Sequence, residues 1–546
     1  MTSNPQSPRP LWALAIYLLL AAVFIWHGAS LTHELSGEGA DPYDSPWFLA
    51  WWPYALTHHL NPFFTRLVWY PTGVSLLWVT SVPLLAILGW PVTAWGGPVL
   101  TYNLYMLAAP VLSAWFAYLV CHHVSKRFWP ALVGGFLFGF SSCEIAQDSA
   151  ALNLAMNFAV PALLLVVLYR LEGRITRARA VTFAALLLLA QFLICLEIFA
   201  MIFVFGGIVW ALVYLYLPER RLALRRLVVD GLITAPFVAV PLLPLFVSMA
   251  RHYALIHHPA AWPYFFTADF LNLFIPSTLN LFGGFFSSVS AHFNGGVQEQ
   301  DAYLGLPLLL LVYIFARQQG RTPRGRLLVA SFVIILLCEF GPRLWVGGHY
   351  TAIVLPWMLA VHLPLLGSAL SVRFAMFTAL AAGIITAVWL ATPGHRRWRA
   401  ALGGLACLAL LPALHPWRPL PNAAFFTPQR VQQVLGPHPR LIILPFALNG
   451  PSSYWQMQNQ FGFTEVGGYL GFPPKPAQAY KAVGYMFGNL VPPDFGAALA
   501  EYAHAAGAQY LVAGPGANPK MLAAIAALGW SAQKLDDVTI YTVPRS

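Results

Sequence analysis

Eleven apolar stretches dominate this chain, at roughly 11–29, 99–121, 128–142, 152–169, 180–196, 198–217, 229–249, 303–316, 327–341, 372–392 and 400–414. A bilayer's hydrocarbon core takes about 20 apolar residues to cross as a helix, with a lower limit near 17. The pattern predicts a mainly α, polytopic transmembrane helix bundle of about 11 spans. Composition agrees: 9% of residues are charged, against about 25% in soluble globular chains.

The net charge of +11 invites a nucleic-acid reading, and its distribution excludes one. With the N-terminus placed in the cytoplasm, alternate loops hold Lys126/Arg127, Arg170/Arg174/Arg177/Arg179, Arg220/Arg221/Arg225/Arg226, Arg317/Arg321/Arg324/Arg326 and Arg396/Arg397/Arg399. With Arg9 these are 18 of the 30 basic residues; only Arg66, Arg251, Arg343 and Arg373 map to the opposite side of the membrane part. Basic residues in short loops set orientation, so the charge reports insertion into a lipid bilayer. Two apolar stretches break the alternation, Ser75–Trp95 and Ala352–Leu366. Both carry prolines (Pro83 and Pro91; Pro356 and Pro364) and are expected as in-plane or re-entrant helices on the outer face. One extra span with a compensating missed one is the alternative.

Acidic residues cluster on that outer side: Glu34, Glu38, Asp41, Asp44, Glu144, Asp148, Glu197, Asp269, Glu299, Asp301 and Glu339. Carboxylates have little influence on insertion, so this clustering predicts an outward-facing polar chamber. The five cysteines lie in membrane segments without metal-ligand spacing and imply no disulfide framework. The first apolar stretch lacks a small-residue cleavage site and reads as an uncleaved anchor. Residues 1–415 form the expected membrane domain, with outer loops 30–98 and 250–302, the latter a candidate lid. Residues 416–546 read as a small periplasmic α/β domain, with strand-like runs 441–444, 510–512 and 539–543 and helical patterns near 427–435, 495–506 and 518–528.

The chemistry-bearing segment follows the first span, in Gly39-Ala40-Asp41-Pro42-Tyr43-Asp44. Carboxylates near a bilayer are costly, so they usually line a polar cavity or do chemistry. Sugar transfer from a lipid phosphate needs one carboxylate as general base for the acceptor hydroxyl and a cation or metal beside the leaving phosphate. It needs no second acid, unlike glycoside hydrolysis. Asp41 is the candidate base and Asp44 its partner, or else Asp44 N-caps a helix expected at 46–58. Two carboxylates without a histidine nearby specify no metal, so a divalent ion (Mg or Mn) held by Asp41 and Asp44 stays open. Trp47 and Trp51 either stack on sugar faces or anchor a helix at the lipid interface. Arg373, then Arg343, are the phosphate-side candidates, each at a span end where an arginine can also simply snorkel. Glu197 and Asp148 are candidate chamber acids. No phosphate-cradling glycine loop, nucleophile elbow or zinc motif is present.

Several segments together resemble the GT-C superfamily of bacterial integral-membrane glycosyltransferases. They are Asp41-Pro42-Tyr43-Asp44 with Trp47 and Trp51, Asn61-Pro62-Phe63, Tyr70-Pro71-Thr72-Gly73, Gln191 with Glu197, Tyr303-Leu304-Gly305-Leu306-Pro307, and Leu363-Pro364 with Val372-Arg373-Phe374. The resemblance implies an inverting transferase using a polyprenyl-phosphate-linked sugar donor and a periplasmic acceptor (glycan, lipid or protein), in the bacterial inner membrane. It maps the family's first-loop acids to Asp41 and Asp44, and adds Tyr303 on the substrate side. The family's two acids are adjacent or one apart, whereas two residues separate them here. The competing readings are a non-catalytic transporter or flippase of lipid-linked sugars, which would show repeats and a midplane charge, and an envelope-assembly scaffold.

Overall fold

Helices account for most of the chain, and proline and glycine positions explain where they start and break. The computed structural model describes residues 9–79, 81–256, 262–363, 366–394 and 396–544. Among these, six helices are long and apolar enough to cross a membrane: Pro83–Ser125, Leu152–Leu171, Arg177–Ile194, Leu196–Tyr216, Pro218–Leu255 and Ser371–Ala391. Phe128–Gly139 and Ser142–Asp148, bent by 47° at their junction, make a seventh if counted as one span. The chain is a multi-pass membrane protein. Other stretches expected to span form shorter helices, Arg9–Ala21, Gly305–Gln319, Pro323–Glu339 and Arg396–Ala409.

The two segments expected as in-plane helices fold differently from each other. The first is helical from Pro83 up to Gly97, which leaves helical geometry (φ 87°, ψ 163°) and kinks the chain before a further helical stretch runs on to Ser125. The second is mostly not helical. Strands Arg343–Val346 and His349–Val354 form an antiparallel hairpin, followed by one 3-10 turn, Pro356–Leu359; Pro364 lies outside the described residues. The Gly347 and Gly348 N–H groups donate to the Asp269 carboxylate at 2.9 and 2.7 Å, pinning the hairpin turn. Asp269 also accepts from the Leu271 N–H at 2.9 Å. This acid is structural.

The chain divides into two compact units, one of Met1–Ala29, Leu104–Leu242 and Pro259–Pro416, the other of Ser30–Asn103, Leu243–His258 and Trp417–Ser546. In the first, helices Phe128–Gly139 and Ala375–Ala391 pack backbone to backbone. A Cβ on Gly134 would lie 2.7 Å from the Gly383 carbonyl oxygen, and one on Gly383 would lie 2.6 Å from that of Gly134. Any side chain there would force the pair apart.

In the second unit a five-stranded sheet runs in the order Ala532–Leu535, Val538–Thr542, Tyr510–Ala513, Arg440–Leu444, Thr464–Glu465. Arg440–Leu444, next to the edge strand, pairs in parallel with both neighbours, and its Leu441, Ile442, Ile443 and Leu444 are buried. Such a two-sided apolar run is what a covered parallel strand requires. The loop after the first apolar stretch, read as part of the membrane domain, groups instead with the tail. Strand Glu34–Ser36 pairs with Trp417–Pro419. Residues 67–70 extend the sheet edge: the Glu465 N–H donates to the Leu67 carbonyl (2.8 Å), and those of Tyr70 and Trp69 donate to the carbonyls of Glu465 (3.1 Å) and Gly467 (2.8 Å).

Candidate active site

In the second unit the acidic motif opens helix Asp41–Thr57. Ala40 is its cap residue and supplies no side-chain bond, and Pro42 lies in the first turn, where its missing N–H costs nothing. The helix therefore starts earlier than the expected 46–58, and Asp44 is not its N-cap. Both acids sit in the first turn, where the helix dipole favours negative charge.

Their surroundings differ sharply. Asp41 is exposed and accepts a hydrogen bond from the Tyr469 hydroxyl at 3.1 Å. Asp44 is 5% exposed and accepts one from the Ser453 hydroxyl at 2.7 Å. Burial, then the neighbouring charge of Asp41, holds the Asp44 carboxyl well above the usual carboxylate range. A third acid, Glu465 on the edge strand, is buried and pushed up to about 8 by desolvation. Burial, then Asp41 and Asp44, raises the Tyr469 hydroxyl too, so it stays a donor. Arg418 lies by the helix start: it donates to the Gly39 carbonyl at 2.8 Å, with its guanidinium 4.2 Å from the Tyr43 ring centre.

Trp47 and Trp51 neither stack on an exposed surface nor meet lipid. They are 0% and 1% exposed, stack on each other at 5.3 Å and pack edge-on against Phe461. Their N–H groups donate to Gln456 (2.8 Å) and to the Pro62 carbonyl (3.1 Å). They form the core that fixes the acidic helix against Ser452–Gln458, the helix carrying Ser453. An apolar helix face with a satisfied indole N–H has no reason to stay at the surface.

The remaining predicted residues lie in the first unit. There the structure brings Arg373 and Glu197 together: the guanidinium donates to Glu197 at 2.5 Å and also to Glu299. Arg373 is thus already held by two carboxylates rather than standing as a free cation. Asp148 is fully buried, 3.8 Å from His415. Glu144, Asp301 and Glu339 are buried as well, with Asn157, Gln147 and Thr378 respectively as donors. Of the two candidate chamber acids, Asp148 thus sits within packed protein, whereas Glu197 stays partly exposed. Arg343 is half-buried in the hairpin, its guanidinium 5.8 Å from the Tyr350 ring centre. Tyr303 is buried beside Gly305, at the start of helix Gly305–Gln319.

Sequence reasoning missed Ser453, Tyr469, Glu465 and Arg418. One carried a signal: Tyr469 interrupts the glycine-rich stretch 467–471. As metal donors, Asp41 and Asp44 offer two carboxylates, one disposed to keep its proton. Among the described residues no group of three His, Cys, Asp or Glu side chains could hold a metal ion.

Solved structures share this architecture. The chain aligns over its whole length with 40% of the arabinofuranosyltransferase AftD from Mycobacteria, at 14% identity and a TM-score of 0.59. A mutant form of AftD gives 14%, 0.62, and coverage of 100% of this chain and 42% of that one. The archaeal oligosaccharyltransferase AglB from Archaeoglobus fulgidus, solved with an inhibitory peptide and a dolichol-phosphate, gives 12% and 0.50, covering 92% of this chain and 69% of that one. The chain therefore spans about 40% of the length of AftD. What is shared is the fold, that of the GT-C membrane glycosyltransferases. No curated protein sequence matches the chain. Residues 10–413 match the family described as Domain of unknown function (DUF6311), and the chain belongs to that family.

Proposed function

We propose that this protein is an inverting membrane glycosyltransferase that moves a sugar from a polyprenyl-phosphate carrier to an acceptor hydroxyl on the periplasmic side of a bacterial inner membrane. The observation that carries the reading is the acid pair at the start of helix Asp41–Thr57: one carboxylate exposed and held by Tyr469, the other buried and held by Ser453. Asp41 acts as general base. It takes the acceptor proton as the acceptor oxygen bonds to the anomeric carbon, while the bond from that carbon to the phosphate oxygen breaks and polyprenyl phosphate leaves. Asp44 is a positioning residue. Favouring its proton, it leaves Asp41 as the ionised member of the pair.

The GT-C fold supports this reading, as does the dolichol-phosphate found with AglB. The test is sugar release from a labelled polyprenyl-phosphate donor by the purified full-length protein. Wild type releases sugar to an acceptor, and Asp41→Asn does not. A donor left intact by wild type while lipid-linked sugar crosses the bilayer overturns the proposal in favour of a transporter.

A further inference from the structure

Far along the chain from the acid pair, a second cluster of charge surrounds a small cavity within the first unit. Helices Ala159–Leu171 and Arg177–Ile194 present their connecting turn to the start of helix Arg221–His252. The cavity between them holds about 110 Å³ and is lined by Arg170, Gly173, Ala223, Arg226, Leu227 and Asp230, among others. Asp230 is 5% exposed and accepts one hydrogen bond from Arg170 Nε at 2.6 Å and one from Arg177 Nε at 2.7 Å. Each guanidinium meets it through Nε alone, and among the described residues neither donates a hydrogen bond through its Nη nitrogens. One carboxylate against two guanidiniums leaves positive charge in excess, and exposed Arg226 adds to it.

Orientation rules account for arginines at span ends. They do not require a cavity, nor two guanidiniums fixed on one acid with their outer edges unengaged. The cavity also sits where helix Arg221–His252 changes character. Just beyond Arg225 and Arg226 the helix exposes Val228, Val229, Leu232 and Phe237. An apolar exposed face on a membrane helix is a lipid-facing one, so the cavity lies at headgroup level. A free inorganic anion would gain nothing from that apolar flank, whereas an amphiphile with an anionic head would match both parts.

We infer that this cavity seats the phosphodiester headgroup of an anionic membrane lipid. Arg170 and Arg226, which line it, supply the donors, and the 228–237 face lies along the acyl chains. The inference is independent of sugar transfer.

The test is native mass spectrometry of the purified full-length protein with phosphatidylglycerol, phosphatidylcholine or inorganic phosphate. Retention of phosphatidylglycerol is expected to exceed that of phosphatidylcholine. Arg226→Ser, at an exposed position, is expected to weaken it about fivefold, the effect of one basic residue near a lipid headgroup. Arg324→Ser, on another basic loop, is expected to leave retention unchanged. Equal retention of the two lipids overturns the inference. So does equal loss in both variants, which would mean diffuse attraction, or inorganic phosphate displacing the lipid at matched concentration. A melting scan of Arg226→Ser confirms that the variant is folded.

Discussion

Asp44 and Asp230 are buried to the same depth, each 5% exposed, in different compact units, and they are kept in opposite company. Asp230 has a guanidinium on each carboxylate oxygen. Its charge is fully compensated, and it ties a helix interior to a neighbouring turn. Asp44 has one hydroxyl donor and a second carboxylate three residues away. Burial without a cation raises the cost of its charge, whereas burial with two cations removes that cost. Depth therefore does not decide what an acid is for. Partner chemistry does, and it separates a clamp from a group able to hold or release a proton.

The strongest way to break this comparison is at Asp41. Asparagine keeps the shape and the Tyr469 contact but cannot take a proton, so Asp41→Asn should lower kcat by about 10³-fold, within the usual range for a general base. Because Asp41 is exposed, the melting temperature should not move. A variant that transfers sugar at the wild-type rate would return Asp41 to the role of a helix-start residue.

The next effect is a pH dependence of stability. Glu465 ionises near 4.5 when unfolded and near 8 in the folded chain. The unfolded state therefore sheds its proton first, and stability falls as pH rises across that window. Asp44 is shifted in the same direction and adds to the slope. Thermal unfolding of the full-length protein, followed by the fluorescence of buried Trp47, Trp51 and Trp455, should show a loss of a few kcal/mol between pH 5 and 8. Glu465→Gln should flatten most of it. A slope unchanged in that variant would place the titrating group elsewhere.

The sequence made the membrane class and the acidic motif legible because both are local. Apolar run length is read directly, and Asp41-Pro42-Tyr43-Asp44 is contiguous. The run 441–444 announced a strand for the same reason. What stayed hidden depends on separation along the chain. Ser453 and Tyr469 reach the acids across more than 400 positions, and Glu299 reaches Arg373 across 74. Trp47 and Trp51 were misplaced because an aromatic run beside a span looks alike whether it faces lipid or a packed core. Only the partner segment, Gln456 and Phe461, settles that. The hairpin at 343–354, which runs into the stretch 352–366 expected as helix, stayed hidden because its stabiliser, Asp269, lies elsewhere in the sequence.

Asp230 sharpens the comparison from the other side. Replacing it with asparagine leaves Arg170, which is largely buried, without its counter-charge, while half-exposed Arg177 can turn to water. The expected loss is about 2 kcal/mol, reduced from the usual figure for a buried pair by that exposure. Urea or thermal unfolding in detergent at two salt concentrations would measure it. A neutral result would mean the clamp holds geometry without adding stability.

The smallest expected effect tests how the exposed acid is aimed. Tyr469 touches Asp41 through its hydroxyl alone, while its ring packs near Phe487 at 6.3 Å. Phenylalanine keeps the ring contact and removes the donor. One hydrogen bond to a charged group is worth about 1.5 kcal/mol, so Tyr469→Phe should cost about tenfold in kcat. Losing that donor also makes the Asp41 anion more basic, so the acid limb of the rate profile should move to higher pH. A purely structural role for the tyrosine would lower the amount of folded protein and leave the profile where it was. The direction of that limb separates an acid positioned for proton transfer from one that merely begins a helix.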